Sequence, residues 1–119
     1  MAGYVDVRDQ SKYLQFKLSG DESLDFALEY WRRVGDECGR KRHEKALILY
    51  ELRGQLSSIH MKELGNRISS QLRGIKIALV CRQSQDYGRQ LANIVSRRSG
   101  SAVKTFPGES QAKEWLERG

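Results

Sequence analysis

Two short, nearly unbroken apolar runs, "ALILY" at 46–50 and "IALVC" at 77–81, constrain this chain more than any other feature. Runs of that length, rich in Val, Ile and Leu and without polar alternation, belong to strands covered on both faces. Such strands occur in parallel sheets flanked by helices. Each run is followed by a turn and then by apolar residues at helical spacing. After the first, "RGQL" leads to Ser57 and Ser58 and then to Met61, Leu64, Ile68 and Leu72, which predicts a second helix ending near Gly74. After the second, Tyr87, Leu91, Ile94 and Val95 form the apolar face of a third helix between Ser84 and Arg98, with Gly100 as its stop. Strands alternating with helices in this way need crossovers of one hand and build a mainly parallel sheet.

The flanks complete the pattern. "YVDVRD" at 4–9 and "KYLQFKLS" at 12–19 alternate apolar and polar residues, as half-buried strands do, and the short Gln10-Ser11 connection makes them an antiparallel hairpin at one edge of the sheet. Beyond Gly20, with Asp21 as N-cap, Leu24, Ala27, Leu28, Trp31, Val34 and Cys38 mark a first helix running to Gly39. The "GRKRHEK" segment after it reads as a solvated helix end, where cations suit the carbonyl dipole. "AVKTF" at 102–106 is a last strand, closed by Pro107 and Gly108, and Ala112, Trp115 and Leu116 serve a final helix. The expected fold is therefore α/β: a single mixed, mostly parallel five-stranded sheet in the order β-β-α-β-α-β-α-β-α, with four helices. The expected core includes Trp31, Leu49, Leu64, Ile77 and Leu91. A length of 119 residues with 39% hydrophobic and 30% charged residues suits one domain over 1–119.

Composition removes several classes. The apolar runs are far short of the ~20 residues that span a bilayer. The start "MAGYVDVRDQ" has neither the basic nor the apolar region of a secretory signal, so a cytoplasmic location is expected. Cys38 and Cys81 lie far apart, without metal spacing to His43 or His60, and both sit in apolar patterns; small core residues are expected, with no metal and no cofactor. No GxGxxG or Walker stretch supports nucleotide chemistry. Ser58 and His60 share a helical turn, but no nucleophile elbow, oxyanion glycine or orienting acid accompanies them, so no enzyme is expected. The net charge of +6 lies wholly in the C-terminal half: residues 1–60 hold ten basic and ten acidic side chains, and 61–119 hold eleven and five. That asymmetry favours an anionic partner, an acidic protein face or a phosphorylated ligand. Nucleic acid has only the charge in its favour.

In an open α/β sheet, ligands gather beyond the carboxyl ends of the parallel strands, where helix N-termini present free N–H groups. Here that edge is expected to collect Glu51, Arg53, Gly54, Ser57 and Ser58 after one strand, Arg82, Gln83 and Ser84 after the next, and Thr105 and Ser110 after the last. On the third helix Asp86, Arg89, Asn93 and Arg97 form a charged stripe opposite the apolar face. Arg53, Ser57, Ser58, Arg82, Ser84 and Arg89 are thus the candidate ligand- or partner-binding residues. Plain helix capping competes with that reading for the serines, as does a solvated surface for the stripe.

The segments "ALILYELRGQLSSIHMKEL", "LRGIKIALVCR" and "VKTFPGESQAKEWL" together resemble the SpoIIAA-like group of the STAS superfamily, over about the whole chain. The resemblance implies the fold shared with CRAL-TRIO lipid-binding domains. It also implies a regulatory, non-enzymatic module that acts like an anti-sigma factor antagonist through a protein partner. In that group a serine at the start of the second helix is phosphorylated, which by position makes Ser57 or Ser58 the candidate phosphorylation site. The phosphorylated members carry Asp-Ser-x-Gly there, whereas this chain reads Leu56-Ser57-Ser58-Ile59. A small anionic or lipid-like ligand at the carboxyl ends of the strands is the alternative, and a homodimer is compatible with the sequence.

Overall fold

In the computed structural model, residues 3–68, 70–82 and 84–118 are described, with Gln71 by its backbone alone. They form β1 (Tyr4–Asp9), β2 (Leu14–Asp21), α1 (Leu24–Lys41), β3 (Lys45–Arg53), α2 (Ser58–Arg67), a 3-10 turn (Ser70–Leu72), β4 (Lys76–Cys81), α3 (Gln85–Ser99), β5 (Ala102–Phe106) and α4 (Glu109–Glu117). The strands lie in sequence order across one five-stranded sheet. β1 and β2 are antiparallel, and β2, β3, β4 and β5 run parallel.

The alternation of side chains divides the sheet's contacts between two layers. Phe16 and Leu18 of β2, Ile48, Tyr50 and Leu52 of β3, and Ile77 and Leu79 of β4 meet the apolar faces of α1, α2 and α3. Leu47 and Leu49 of β3 with Ala78 and Val80 of β4 point the other way, against Ala112 and Leu116 of α4. That is why both central strands read as unbroken apolar runs. α4 is fastened by Lys76, whose Nζ donates to the Trp115 carbonyl at 2.8 Å and stands 4.4 Å above the Trp115 ring. Trp31, Leu49, Leu64, Ile77 and Leu91 are all buried, as their spacing predicts.

Helix ends differ from expectation in three places. Asp21 does not cap α1: it stays in β2, opposite Arg53 of β3, and the cap is Ser23, whose Oγ accepts from the Phe26 amide. α1 does not stop at Gly39, which sits exposed within the helix; Arg42 ends it in the left-handed conformation at φ 59°. α2 stops at Arg67, because Ile68 turns extended, and the 3-10 turn carries Leu72 into the core in place of a longer helix. Gly100 ends α3 as expected, with a φ of 77° that glycine adopts without strain. Among the described residues no helix is long and apolar enough to cross a membrane.

Candidate functional site

β3 and β4 deliver the chain to two helix starts that lie side by side. Ser57 caps α2, its Oγ accepting from the His60 amide at 3.1 Å, and Ser84 caps α3 in the same way, accepting from the Tyr87 amide at 3.1 Å. A cleft of about 310 Å³ separates them, bordered by Ser57, Ser58, Met61, Ser84, Asp86 and Tyr87. Ser58, the first residue of α2, is exposed and makes no side-chain hydrogen bond among the described residues. Ile59 beside it is 80% exposed. A large apolar side chain held out at a helix start contributes nothing to the core.

Beneath the cleft runs a polar network that the sequence pattern did not announce. Glu22, in the β2–α1 connection, accepts at Oε2 from the hydroxyls of Tyr30 (2.6 Å) and Tyr50 (2.9 Å), and at Oε1 from the Ser23 amide (2.9 Å). The Tyr50 and Tyr87 hydroxyls lie 3.5 Å apart, and the Tyr87 hydroxyl accepts from the Leu56 amide at 3.1 Å. The loop that leads into α2 is thereby tied to a carboxylate on the far side of β3. Burial raises the Glu22 carboxyl above its ordinary value, against the three hydrogen bonds that favour its charged form. Burial likewise pushes the Tyr30, Tyr50 and Tyr87 phenols up, so all three remain neutral. Period and propensity read Tyr50 and Tyr87 only as apolar face residues. Their sole sequence signal is that a buried tyrosine needs a partner for its hydroxyl.

The arginines go elsewhere. Arg53 leaves β3 on the α4 side and pairs with Asp21 at 2.8 Å, each strengthening the other's charged form. Arg82 stands 3.9 Å from Glu109 at the start of α4. It borders a second cavity of about 270 Å³ at the carboxyl ends of β3 and β4, with Leu49, Leu52, Val80 and Glu51. Arg89 pairs with Asp86 on the outer surface of α3, where Asn93 and Arg97 are also exposed. The structure thus joins Ser57, Ser58 and Ser84 in one cleft, sets Arg82 at another, and leaves Arg53 and Arg89 in exposed ion pairs. Gln83 lies outside the described residues.

Ser57 meets the backbone of His60, and the His60 ring is exposed away from any carboxylate pairing among the described residues. Cys38 and Cys81 are buried, and burial pushes the Cys38 thiol up to about 12, far from a reactive thiolate. Among the described residues no group of three or more His, Cys, Asp or Glu side chains could hold a metal ion.

No protein-family model matches the chain, and no curated protein matches it significantly. Among solved structures it is similar to an uncharacterized protein from Shewanella loihica PV-4, of the DUF3478 family and with a SpoIIAA-like fold. The likeness has a TM-score of 0.57 at 18% identity and covers 96% of this chain and 93% of that one. With its antiparallel first strand pair, its three parallel crossovers and its four helices, this chain has the SpoIIAA-like fold.

Proposed function

We propose that this chain is a non-enzymatic regulatory binding module that engages a protein partner at the start of α2. The observation that carries the reading is the exposure of Ile59 next to Ser57 and Ser58, an apolar anchor beside hydroxyls at the mouth of a cleft. Exposed apolar anchors in a polar rim are what protein interfaces concentrate their energy on. Of the two serines, Ser58 is the better acceptor for a phosphate, because Ser57 already uses its hydroxyl as the cap. Phosphate at Ser58 meets the positive end of the α2 dipole, and it also meets Asp86 across the cleft, so it changes the surface without unwinding the helix.

The test uses extract from the native source, with one captured protein followed quantitatively. Ile59→Glu and Ser58→Asp should leave melting nearly unchanged and release that protein, whereas Arg89→Glu should act mainly through salt dependence. Full retention by both α2 variants, correctly folded, overturns the reading.

A second reading has its own observation. The cavity of about 270 Å³ beside Arg82, with Leu49, Leu52 and Val80 in its wall, suits a small anionic or lipid-like ligand at the carboxyl ends of the strands. Native mass spectrometry of the purified chain, with Arg82→Glu as control, separates the two: a retained small molecule lost in that variant favours the ligand.

A further inference from the structure

We propose that β1 is a self-complementary edge through which two copies of this chain join their sheets into one. β1 lies at the margin of the sheet, bonded on one side to β2. The turn after it fixes which residues face outward. The Gln10 amide donates to the Tyr13 carbonyl, and alternate residues of a strand direct their backbone groups to the same edge. Arg8, Asp6 and Tyr4 therefore bond to β2, while Val5, Val7 and Asp9 turn their N–H and C=O groups away from the sheet. A row of such groups is a template for another strand.

Charge on an edge strand ordinarily deters pairing; here the order of the charges converts it into an attraction. Asp6 and Arg8 flank Val7 on the same face, held together by an ion pair of 3.1 Å, both exposed. Set a second β1 antiparallel to the first, with the two-fold axis through Val7. Val7 then meets the partner's Val7, Val5 meets the partner's Asp9, and Asp6 meets the partner's Arg8 on both sides of the axis. Outward-facing residues oppose outward-facing residues in this register, so those pairs exchange both backbone bonds. Asp6 and Arg8 fall at the intervening positions, where opposed side chains come closest. Moving the axis one residue either way, to Asp6 or to Arg8, spoils this, because that residue would then oppose its own copy. On the α1 side the edge is open, with a groove of about 250 Å³ between Val7, Asp9 and the side chains of Arg33, Glu37 and Arg40. One register thus satisfies backbone, face and charge together, and the partner it fits is another copy of this chain.

Sedimentation of the wild-type chain from micromolar to millimolar concentration should show the mass rising from 13.7 kDa towards twice that value. Asp6→Arg alone and Arg8→Asp alone each turn every cross-strand pair into like charges, and each should raise the dimer dissociation constant at least about tenfold. Mixed in equal amounts, the two variants should associate as tightly as wild type, because every pair is opposite again. Both positions are exposed, so unchanged melting is the control for folding. A wild-type chain that stays at 13.7 kDa throughout overturns the proposal, as does a mixture of folded variants that stays monomeric, or single variants that associate like wild type.

Discussion

At the scale of single residues, the structure carries local costs that substitution can expose. Arg42 ends α1 with φ 59°, a conformation that costs an ordinary L-residue about 1–2 kcal/mol and glycine almost nothing. Arg42→Gly should therefore stabilise the fold, by about 0.5–1 kcal/mol after the added freedom of the unfolded chain is counted, as read from urea midpoints. Glu22 titrates in the opposite sense to most carboxylates. Its folded pKa lies above the ordinary 4.5, so folding favours the protonated form. Its contribution is fully present below 4.5 and is lost as pH rises through the raised value. Glu22→Gln cannot ionise, so the stability of wild type relative to that variant should fall as pH rises from about 4 to about 7. Asp9 and Asp21 run the other way. A hydrogen bond from the Ser11 amide and the Arg53 guanidinium, respectively, are the leading causes holding them below 3.8, and that stability is lost as pH falls through the lowered values. A wild-type-minus-Glu22→Gln difference that is flat with pH would show that Glu22 is solvated in solution.

At the scale of elements, close packing sets the tolerances. A Cβ on Gly65 of α2 would come within 2.7 Å of Ile94 Cγ1 on α3, so Gly65→Ala should cost about 1–3 kcal/mol despite its better helix propensity. Leu49 lies between α4 and the cavity beside Arg82, and Leu49→Ala should cost about 2–5 kcal/mol, read by the same denaturation midpoints. Elements were legible where periodicity and burial agree: the two apolar strands, the α3 face with Gly100, and the hairpin all lie where the sequence sets them. Element ends were legible only where no competing group intervened. Asp21 is an excellent cap by type, but strand pairing with Arg53 claimed it and left the task to Ser23. Gly39 is a common helix stop, but its open side lets the helix run on, at a propensity cost of only ~1 kcal/mol, to a last turn of Arg40 and Lys41. The serine caps of the candidate site were visible as N-caps. The partition of the arginines was not, because the face on which a residue leaves a strand end depends on pleat and register. Nor did anything local in the sequence announce Glu22 meeting Tyr50, or Tyr50 meeting Tyr87, since those contacts join segments far apart in the chain.

At the scale of the molecule, the two faces of the sheet are unequally clothed. α1, α2 and α3 share one face, and α4, with Tyr13, packs on the apolar strip of the other. Leu116→Asp should lift α4 and bare Leu47, Leu49, Ala78 and Val80, seen as a rise in binding of a hydrophobic dye before the main unfolding transition. Dye binding that appears only with global unfolding would show that α4 and the sheet melt as one unit. The arrangement of the strands has a further, kinetic consequence. Because each strand is paired with the strands next to it in sequence, no segment must wait for a distant one before it can be placed. The entropy of closing each loop is then met one crossover at a time, which favours rapid folding for a mostly parallel sheet. On the ribosome the same order lets β1, β2, α1 and β3 assemble while β5 and α4 are still being made.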